Sequence, residues 1–135
     1  MKKLSIVVPM YNEQEVFNLC VEALTNVLED LIKKDKISKD SFMLLVDDGS
    51  RDNTWSLIEK AHKTNPFVYG LKLSANVGHQ NALLAGLMTA KNSCDVTVSI
   101  DADLQDDVKA IEEMVDKYLF HGCDVVYGVR SKRET

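Results

Sequence analysis

The strongest constraint on the fold is an alternation of short apolar runs with segments of helical periodicity. Apolar runs rich in β-branched residues occur at 4–8, 42–46, 67–73, 96–100 and 125–127. Such runs are typical of strands that are buried on both faces. Because a helical pattern fills each gap, the order is β-α-β-α-β-α-β-α-β. This order predicts an α/β, doubly wound, mostly parallel sheet with helices on both faces.

The helix boundaries follow from local signals. Asn12 is expected to cap the first helix, and either Asp52 or Thr54 opens the second. The third pattern, at 78–90, is apolar nearly all round, so this helix is expected to be buried. His79, near its start, is interpreted as a polar surface or hinge residue.

Length and charge narrow the function classes. A chain of 135 residues is about one domain. The net charge of −5, from 16 basic and 21 acidic residues, disfavours nucleic-acid binding, which needs a basic face. Cys20, Cys94 and Cys123 fit no zinc spacing and are interpreted as small apolar residues in a reducing cytoplasm. No apolar run is long enough to cross a bilayer.

Acidic residues follow three of the predicted strands, at 9–13, 47–50 and 101–105. Open α/β sheets bind ligands outside the carboxyl ends of their strands, so these carboxylates should meet at one edge. Like charges placed together need a compensating cation or hydrogen-bond donors. Asp101 and Asp103, separated by the small Ala102, suit a hard ion such as Mg²⁺ or Mn²⁺ that bridges to substrate phosphates.

Missing motifs exclude two nucleotide-binding classes. The first strand is not followed by a Gly-x-Gly-x-x-Gly turn, and the chain has no Walker-type Gly-Lys-Ser/Thr. Dinucleotide oxidoreductases and P-loop NTPases are therefore disfavoured. A nucleoside diphosphate held through a metal ion remains open.

Five segments in sequence order carry a resemblance to a known family. They read VVPMYNE at 7–13, VDDGSRDNT at 46–54, NVGHQNALLAGL at 76–87, DADLQDD at 101–107 and VYGVRSKR at 126–133. The chain resembles the family 2 glycosyltransferases of GT-A fold, and most of all the branch similar to dolichol-phosphate mannosyltransferases and bacterial polyprenyl-phosphate glycosyltransferases.

The resemblance implies which residues bind the nucleotide. Contacts to the base and ribose are implied for Pro9, Tyr11 and Glu13, and a base contact for Asp48. Asp101 is implied to contact the nucleotide as well.

The resemblance also implies the catalytic and metal residues. Asp101 and Asp103 would form the Asp-x-Asp element of the family, and Gln105 would help Asp103 to hold Mg²⁺ or Mn²⁺ on the diphosphate. Arg130 and Arg133 would lie in a loop near the phosphates or a lipid acceptor.

The implied reaction is inverting transfer of a sugar from a UDP- or GDP-sugar to an acceptor, a polyprenyl phosphate or a glycan. Residues 1–135 are interpreted as the donor-binding part, with the acceptor part absent, so this chain alone is not expected to transfer sugar. The longer protein is expected to be cytoplasmic, at the inner face of the cell membrane. An uncovered sheet edge makes a homodimer plausible.

A receiver-type, phospho-accepting signalling domain is the alternative. It is also a small doubly wound domain, and Asp47, Asp48 and Asp101 imitate its acidic residues. Two features disagree: the acidic pair follows strand two, and Arg130 stands where a Lys is needed.

Overall fold

The computed structural model describes residues 1–103 and 108–121. They contain four strands, β1 (Leu4–Met10), β2 (Phe42–Asp47), β3 (Val68–Lys72) and β4 (Val96–Ser99). They also contain four helices, α1 (Phe17–Lys33), α2 (Thr54–Thr64), α3 (His79–Ala90) and α4 (Lys109–His121). The strands form one parallel sheet in the order β3-β2-β1-β4. The predicted parallel α/β sheet is confirmed, and the expected strand at 125–127 lies outside the described residues.

The strand order fixes which face each helix covers. The chain steps from β1 to β2 to β3, then returns across the sheet to β4 on the other side of β1. Because crossovers are right-handed, this reversal puts α1 and α2 on one face and α3 on the opposite face. The reversal also creates a topological switch point between β1 and β4, where open α/β sheets bind ligands.

The core has two layers, one on each face of the sheet. Every residue of β1 and β2 is buried, and alternate side chains point to opposite faces. One layer packs the even-numbered side chains of β1, such as Ile6 and Val8, against α1, α2 and α4. The other packs Val7, Leu44 and Val46 against α3. The central strands are therefore held from both sides.

Helix α3 lies close against the sheet through Gly86. A Cβ at Gly86 would come within 2.6 Å of Val7 Cγ1 and 2.7 Å of Val46 Cγ2. On the outer side, Leu84 and Met88 are 54% and 56% exposed. The expectation that this helix is buried all round is therefore wrong for the described residues, because only the face carrying small residues meets the sheet.

The start of α1 also differs from the prediction. The cap position of α1 is Val16, which makes no side-chain capping hydrogen bond. Asn12 lies four residues earlier with a φ of 53°, so its predicted role as the cap is wrong. For α2 both predicted residues contribute: Thr54 is the first helical residue, and Asp52 Oδ1 accepts a hydrogen bond from Thr54 N at 2.9 Å.

Helix α4 is tied to the end of α1 by an ion-pair cluster of Lys34, Lys36, Glu112 and Asp116. Lys36 Nζ lies 2.7 Å from Glu112 Oε2 and 2.9 Å from Asp116 Oδ1, and Lys34 Nζ lies 3.0 Å from Glu112 Oε2. Hydrogen bonds from Lys36 and Lys34 lower the pKa of Glu112. Among the described residues, no helix combines the length and hydropathy needed to span a bilayer.

Candidate functional site

The candidate site lies at the carboxyl ends of the strands, where four loops meet. The first loop (11–16) follows β1, the second (48–53) follows β2, the third (73–78) follows β3, and the fourth, described up to residue 103, follows β4. The first and fourth loops flank the switch point. The sequence motifs at 7–13, 46–54 and 76–87 supply most of the first three loops.

The first and second loops are bound to each other through Asn12. Its backbone N donates to Ser50 Oγ at 2.8 Å, and its side-chain Oδ1 accepts from Arg51 N at 2.8 Å. The positive φ of Asn12, a conformation that Asn tolerates better than most residues, turns its side chain toward the second loop. The conformation therefore joins two loops rather than starting a helix.

Further hydrogen bonds join residues 12–14 to residues 50–54. We call this set of bonds the clasp. Glu13 N donates to Thr54 Oγ1 at 2.9 Å, and Asn53 N donates to Gln14 Oε1 at 3.0 Å. Gln14 N donates to Asp52 Oδ2 at 3.3 Å. Burial acts to raise the pKa of Asp52, but hydrogen bonds from Thr54 and from Gln14 N outweigh it, so the pKa is lowered. The two loops thus hold Glu13 in a fixed place at the edge.

The third loop is bound to the second through Asp48 and Gly49. Asp48 Oδ1 accepts from Val77 N at 2.7 Å, while Oδ2 accepts from Asn76 Nδ2 at 2.9 Å and Gly78 N at 3.1 Å. Gly49 has a φ of +70°, and a Cβ there would meet Asn76 N at 2.5 Å. Only glycine gives both the left-handed conformation and the room for this approach.

Three carboxylates lie around the switch point and influence one another electrostatically: Glu13 from the first loop, and Asp101 and Asp103 from the fourth. Burial raises the pKa of Glu13, and the charges of Asp103 and Asp101 raise it further. Burial also raises the pKa of the Cys20 thiol to about 12, with contributions from Glu13 and Asp103. In both shifts burial is the main cause, and the negative charge of the nearby carboxylates adds to it.

The carboxylates fit a hard divalent cation in their chemistry, since their like charges repel and their oxygens are the donors that Mg²⁺ and Mn²⁺ prefer. Within residues 1–103 and 108–121, no three His, Cys, Asp or Glu side chains are grouped closely enough to hold a metal ion. An ion between Asp101 and Asp103 would therefore take its other oxygens from elsewhere, as expected for one that bridges to a diphosphate. Gln105, the other predicted ligand, lies outside the described residues.

The remaining predicted contacts differ in accessibility. Tyr11 is 41% exposed at the mouth of the site, whereas Pro9 is buried within β1. Asp48 is only 3% exposed, and its carboxylate binds the third loop. Arg130 and Arg133 lie outside the described residues. These base, ribose and phosphate contacts stay predictions.

Sequence reasoning missed one residue at the site. His79, the first residue of α3, has its Nε2 3.5 Å from Asp101 Oδ1. The sequence interpretation made His79 a polar surface or hinge residue at the start of a helix. Its place directly after Gly78, at the carboxyl end of a strand, was the one signal that it could lie at the site.

Comparison with known protein families identifies the family to which this chain belongs. The family model described as glycosyl transferase family 2 matches residues 5–135. The chain belongs to this family. The resemblance read from its motifs is confirmed, and the alternative of a receiver-type domain is wrong.

Two bacterial relatives support the membership. Over 132 residues the family 2 chain is 54% identical to the uncharacterized glycosyltransferase YkoT of Bacillus subtilis (strain 168), covering 98% of the chain and 39% of YkoT. It is 38% identical over 130 residues to the uncharacterized glycosyltransferase YkcC of the same strain, covering 96% of the chain and 38% of YkcC. The chain thus spans about two fifths of the length of these relatives.

Solved structures agree with the GT-A fold. TarS 1–349 of S. aureus in complex with UDP superposes with a TM-score of 0.61 at 21% identity, over 87% of this chain and 33% of that one. The mannosyltransferase PcManGT of Pyrobaculum calidifontis in complex with GDP-Man and Mn²⁺ gives 0.58 at 24% identity, over 76% and 28%. At these identities the likeness establishes the fold.

Proposed function

We propose that this family 2 chain binds the nucleoside diphosphate of a UDP- or GDP-sugar, together with Mg²⁺ or Mn²⁺, at the switch point between β1 and β4. The observation that carries the proposal is the placement of Glu13, Asp101 and Asp103 around that point, where the charges of the two aspartates add to burial in raising the pKa of Glu13. Such a cluster attracts a cation, and a bound cation attracts a diphosphate.

Each residue has a role in this proposal. Asp101 and Asp103 would hold the metal, with Gln105 assisting Asp103, and the exposed ring of Tyr11 would contact the base. A bound divalent ion neutralises the charge that develops on the leaving diphosphate. Glu13, whose backbone N–H bonds Thr54 Oγ1, would contact the base or ribose, as the motif resemblance implies.

For the longer protein we propose inverting transfer of the sugar to a polyprenyl phosphate at the inner face of the cell membrane. The acceptor class comes from the motif resemblance to polyprenyl-phosphate glycosyltransferases. A phosphate oxygen is already anionic near neutral pH, so such an acceptor needs no general base, and positioning of donor and acceptor would dominate the rate. A glycan hydroxyl as the acceptor would require a base.

The choice of probe nucleotides follows from the structural neighbours. TarS is bound to UDP, and PcManGT is bound to GDP-Man and Mn²⁺. Both UDP and GDP should therefore be titrated into the chain by calorimetry, with Mn²⁺, with Mg²⁺ and with EDTA. At least one nucleotide should bind in the presence of metal and much more weakly with EDTA. Equal affinity in all three conditions would refute the metal-linked site.

Transfer is tested separately with radiolabelled UDP- and GDP-sugars and a polyprenyl phosphate. The chain spans about two fifths of the length of its relatives. We therefore expect it to bind donor without forming glycosyl lipid, since the acceptor contacts that stabilise the transition state would come from the rest of that length. Robust formation of glycosyl lipid by this chain would place the acceptor site within these residues. It would contradict the proposal that this chain binds only the donor.

A further inference from the structure

The Asp48 carboxylate is already occupied by the third loop. Its two oxygens accept hydrogen bonds from the N–H groups of Asn76, Val77 and Gly78 at 2.7–3.1 Å, and its backbone oxygen accepts a second bond from Asn76 Nδ2 at 3.1 Å. A carboxylate has about four acceptor positions, and Asp48 is only 3% exposed. Its bonding capacity is therefore spent largely within the protein.

The bonds to Asp48 fix the segment that leads into α3. Gly78 has a φ of +95°, and Gly78 O accepts the first helical bond, from Ala82 N at 2.9 Å. Gly49 packs directly against the backbone at Asn76. Two contacts thus fix the entry to α3: hydrogen bonds to the Asp48 carboxylate, and packing of Gly49 against the backbone of Asn76.

The residue placed by this entry is His79. Its Nε2 lies 3.5 Å from Asp101 Oδ1, and the Asp101 side chain is 19% exposed whereas that of His79 is 49% exposed. At this distance the imidazole lies directly beside the carboxylate, on the side of Asp101 that faces the start of α3. A continuous path of contacts therefore runs from Asp48, through Val77 and Gly78, to His79 and Asp101.

We infer that Asp48 and His79 are positioning residues for the nucleotide site: Asp48 fixes the entry to α3, and His79 orients the Asp101 carboxylate. The inference rests on the proposed nucleotide-binding function. It differs from a base contact by Asp48 in a measurable way. A base contact discriminates between bases, whereas a positioning role acts at the diphosphate, which UDP and GDP share.

The substitutions that test the path are Asp48→Asn and His79→Ala. An amide at position 48 presents an NH₂ group to N–H donors, so at least one of the loop's bonds is lost and the loop moves. His79→Ala removes the imidazole that lies beside Asp101. His79→Gln restores a side-chain N–H and serves as the conservative variant. Asp40→Asn, an exposed substitution at the opposite end of β2, is the matched control.

Affinities for UDP and for GDP with Mn²⁺ are measured by calorimetry for wild type, both single variants and the double variant. Each single substitution should weaken every nucleotide that wild type binds by a similar factor, about tenfold, as is usual for residues that orient a metal ligand. The double variant should be no weaker than the more affected single variant, because both act on one path. His79→Gln should recover most of the loss.

Three results of the titrations would overturn the inference. One is an Asp48→Asn effect that differs between UDP and GDP by an order of magnitude, which would mark a base contact. The other is a double variant whose loss equals the product of the two single losses, which would show independent action. Unchanged affinity in both single variants would overturn it as well.

A readout without nucleotide separates this inference from the proposed function. Asp48→Asn should speed hydrogen exchange at the Val77 and Gly78 amides and shift the imidazole NMR signals of His79, while Asp40→Asn leaves both unchanged. If wild type bound neither nucleotide, the proposed function would fail and the binding role with it. Slow exchange persisting at both amides in Asp48→Asn would refute the path itself, whatever the titrations show.

Discussion

The two sides of the switch point are built in opposite ways. On one side, the first three loops are joined by hydrogen bonds between side chains and backbone, centred on Asn12 and Asp48. On the other side, Asp101 and Asp103 place negative charge beside Glu13. The first side gains stability from the hydrogen bonds of its polar residues, whereas the second brings like charges together. The residues proposed to hold the metal ion therefore lie on the side where like charges meet.

The largest effect on the hydrogen-bonded side should come from Gly49→Ala. The variant should lose about 2–5 kcal/mol of unfolding free energy, about 1–2 from the left-handed φ and about 1–3 from the clash with Asn76. Gly78→Ala is the control, since its φ is also positive but no atom lies within 4 Å of its Cβ. It should lose about 1–3 kcal/mol. Urea unfolding measures both, and a loss at Gly49 below about 2 kcal/mol would contradict the close approach there.

On the acidic side, Asp103→Ala should change binding and leave stability intact. Removal of one carboxylate relieves repulsion with Glu13, so the unfolding free energy without metal should hold or rise. Nucleotide affinity with Mn²⁺ should fall about 100-fold, at the upper end of the loss seen when a residue that only orients a metal ligand is changed. Calorimetry measures the change in nucleotide affinity, and urea unfolding measures the change in stability. A variant that unfolds more easily but still binds in a metal-dependent manner would make Asp103 a structural residue.

Thr54→Val tests how much the hydrogen bonds of the clasp contribute to the free energy of unfolding. The hydroxyl of this buried residue accepts from Glu13 N and donates to Asp52, so its loss should cost about 1–3 kcal/mol. Thr64→Val is a matched control, because that hydroxyl bonds only within α2 on an exposed face and should cost within about 0.5 kcal/mol. Thermal unfolding compares them. Equal losses would mean that the clasp adds little to stability.

The smallest effect is expected from Glu112→Gln. This substitution removes the ion pairs between α4 and Lys34 and Lys36, away from the candidate site. The pKa of Glu112 is lowered by Lys36 and Lys34, so its contribution is present above the ordinary value of 4.5 and is lost as pH falls through the lower folded value. The variant should be slightly less stable than wild type at pH 7, and the difference should shrink as the pH falls below 4.5. High salt should also remove the difference. A difference that stays constant with both pH and salt would assign it to packing instead.

Much of the architecture was predictable because it depends on local patterns. The apolar runs of β1 and β2 are buried on both faces, as their composition predicts, and their parallel order places the acidic residues at one edge. The outer face of α3 was mispredicted because periodicity reports composition, whereas exposure of Leu84 depends on which elements lie nearby.

The site was predictable in its location and less so in its contacts. Which strand ends carry acidic residues can be read from the sequence. The bonds of Asn12 to Arg51 and of Asp48 to Val77 join residues 39 and 29 positions apart, and depend on how loops approach one another in space. His79 meets Asp101 only because the chain reverses between β3 and β4. No local pattern encodes such encounters.

The place of β1 beside β4 has a consequence for synthesis on the ribosome. Lys3 N bonds Asp95 Oδ2, a partner made 92 residues later, and β1 pairs with β4 just beyond. The β1-β2-β3 half can form while translation continues, but one edge of its most buried strand stays unpaired until β4 emerges. Contacts so distant in sequence are slow to form, and unpaired edges in nascent chains invite aggregation. Glu13 can therefore approach Asp101 and Asp103 only after β4 has been synthesised and has paired with β1.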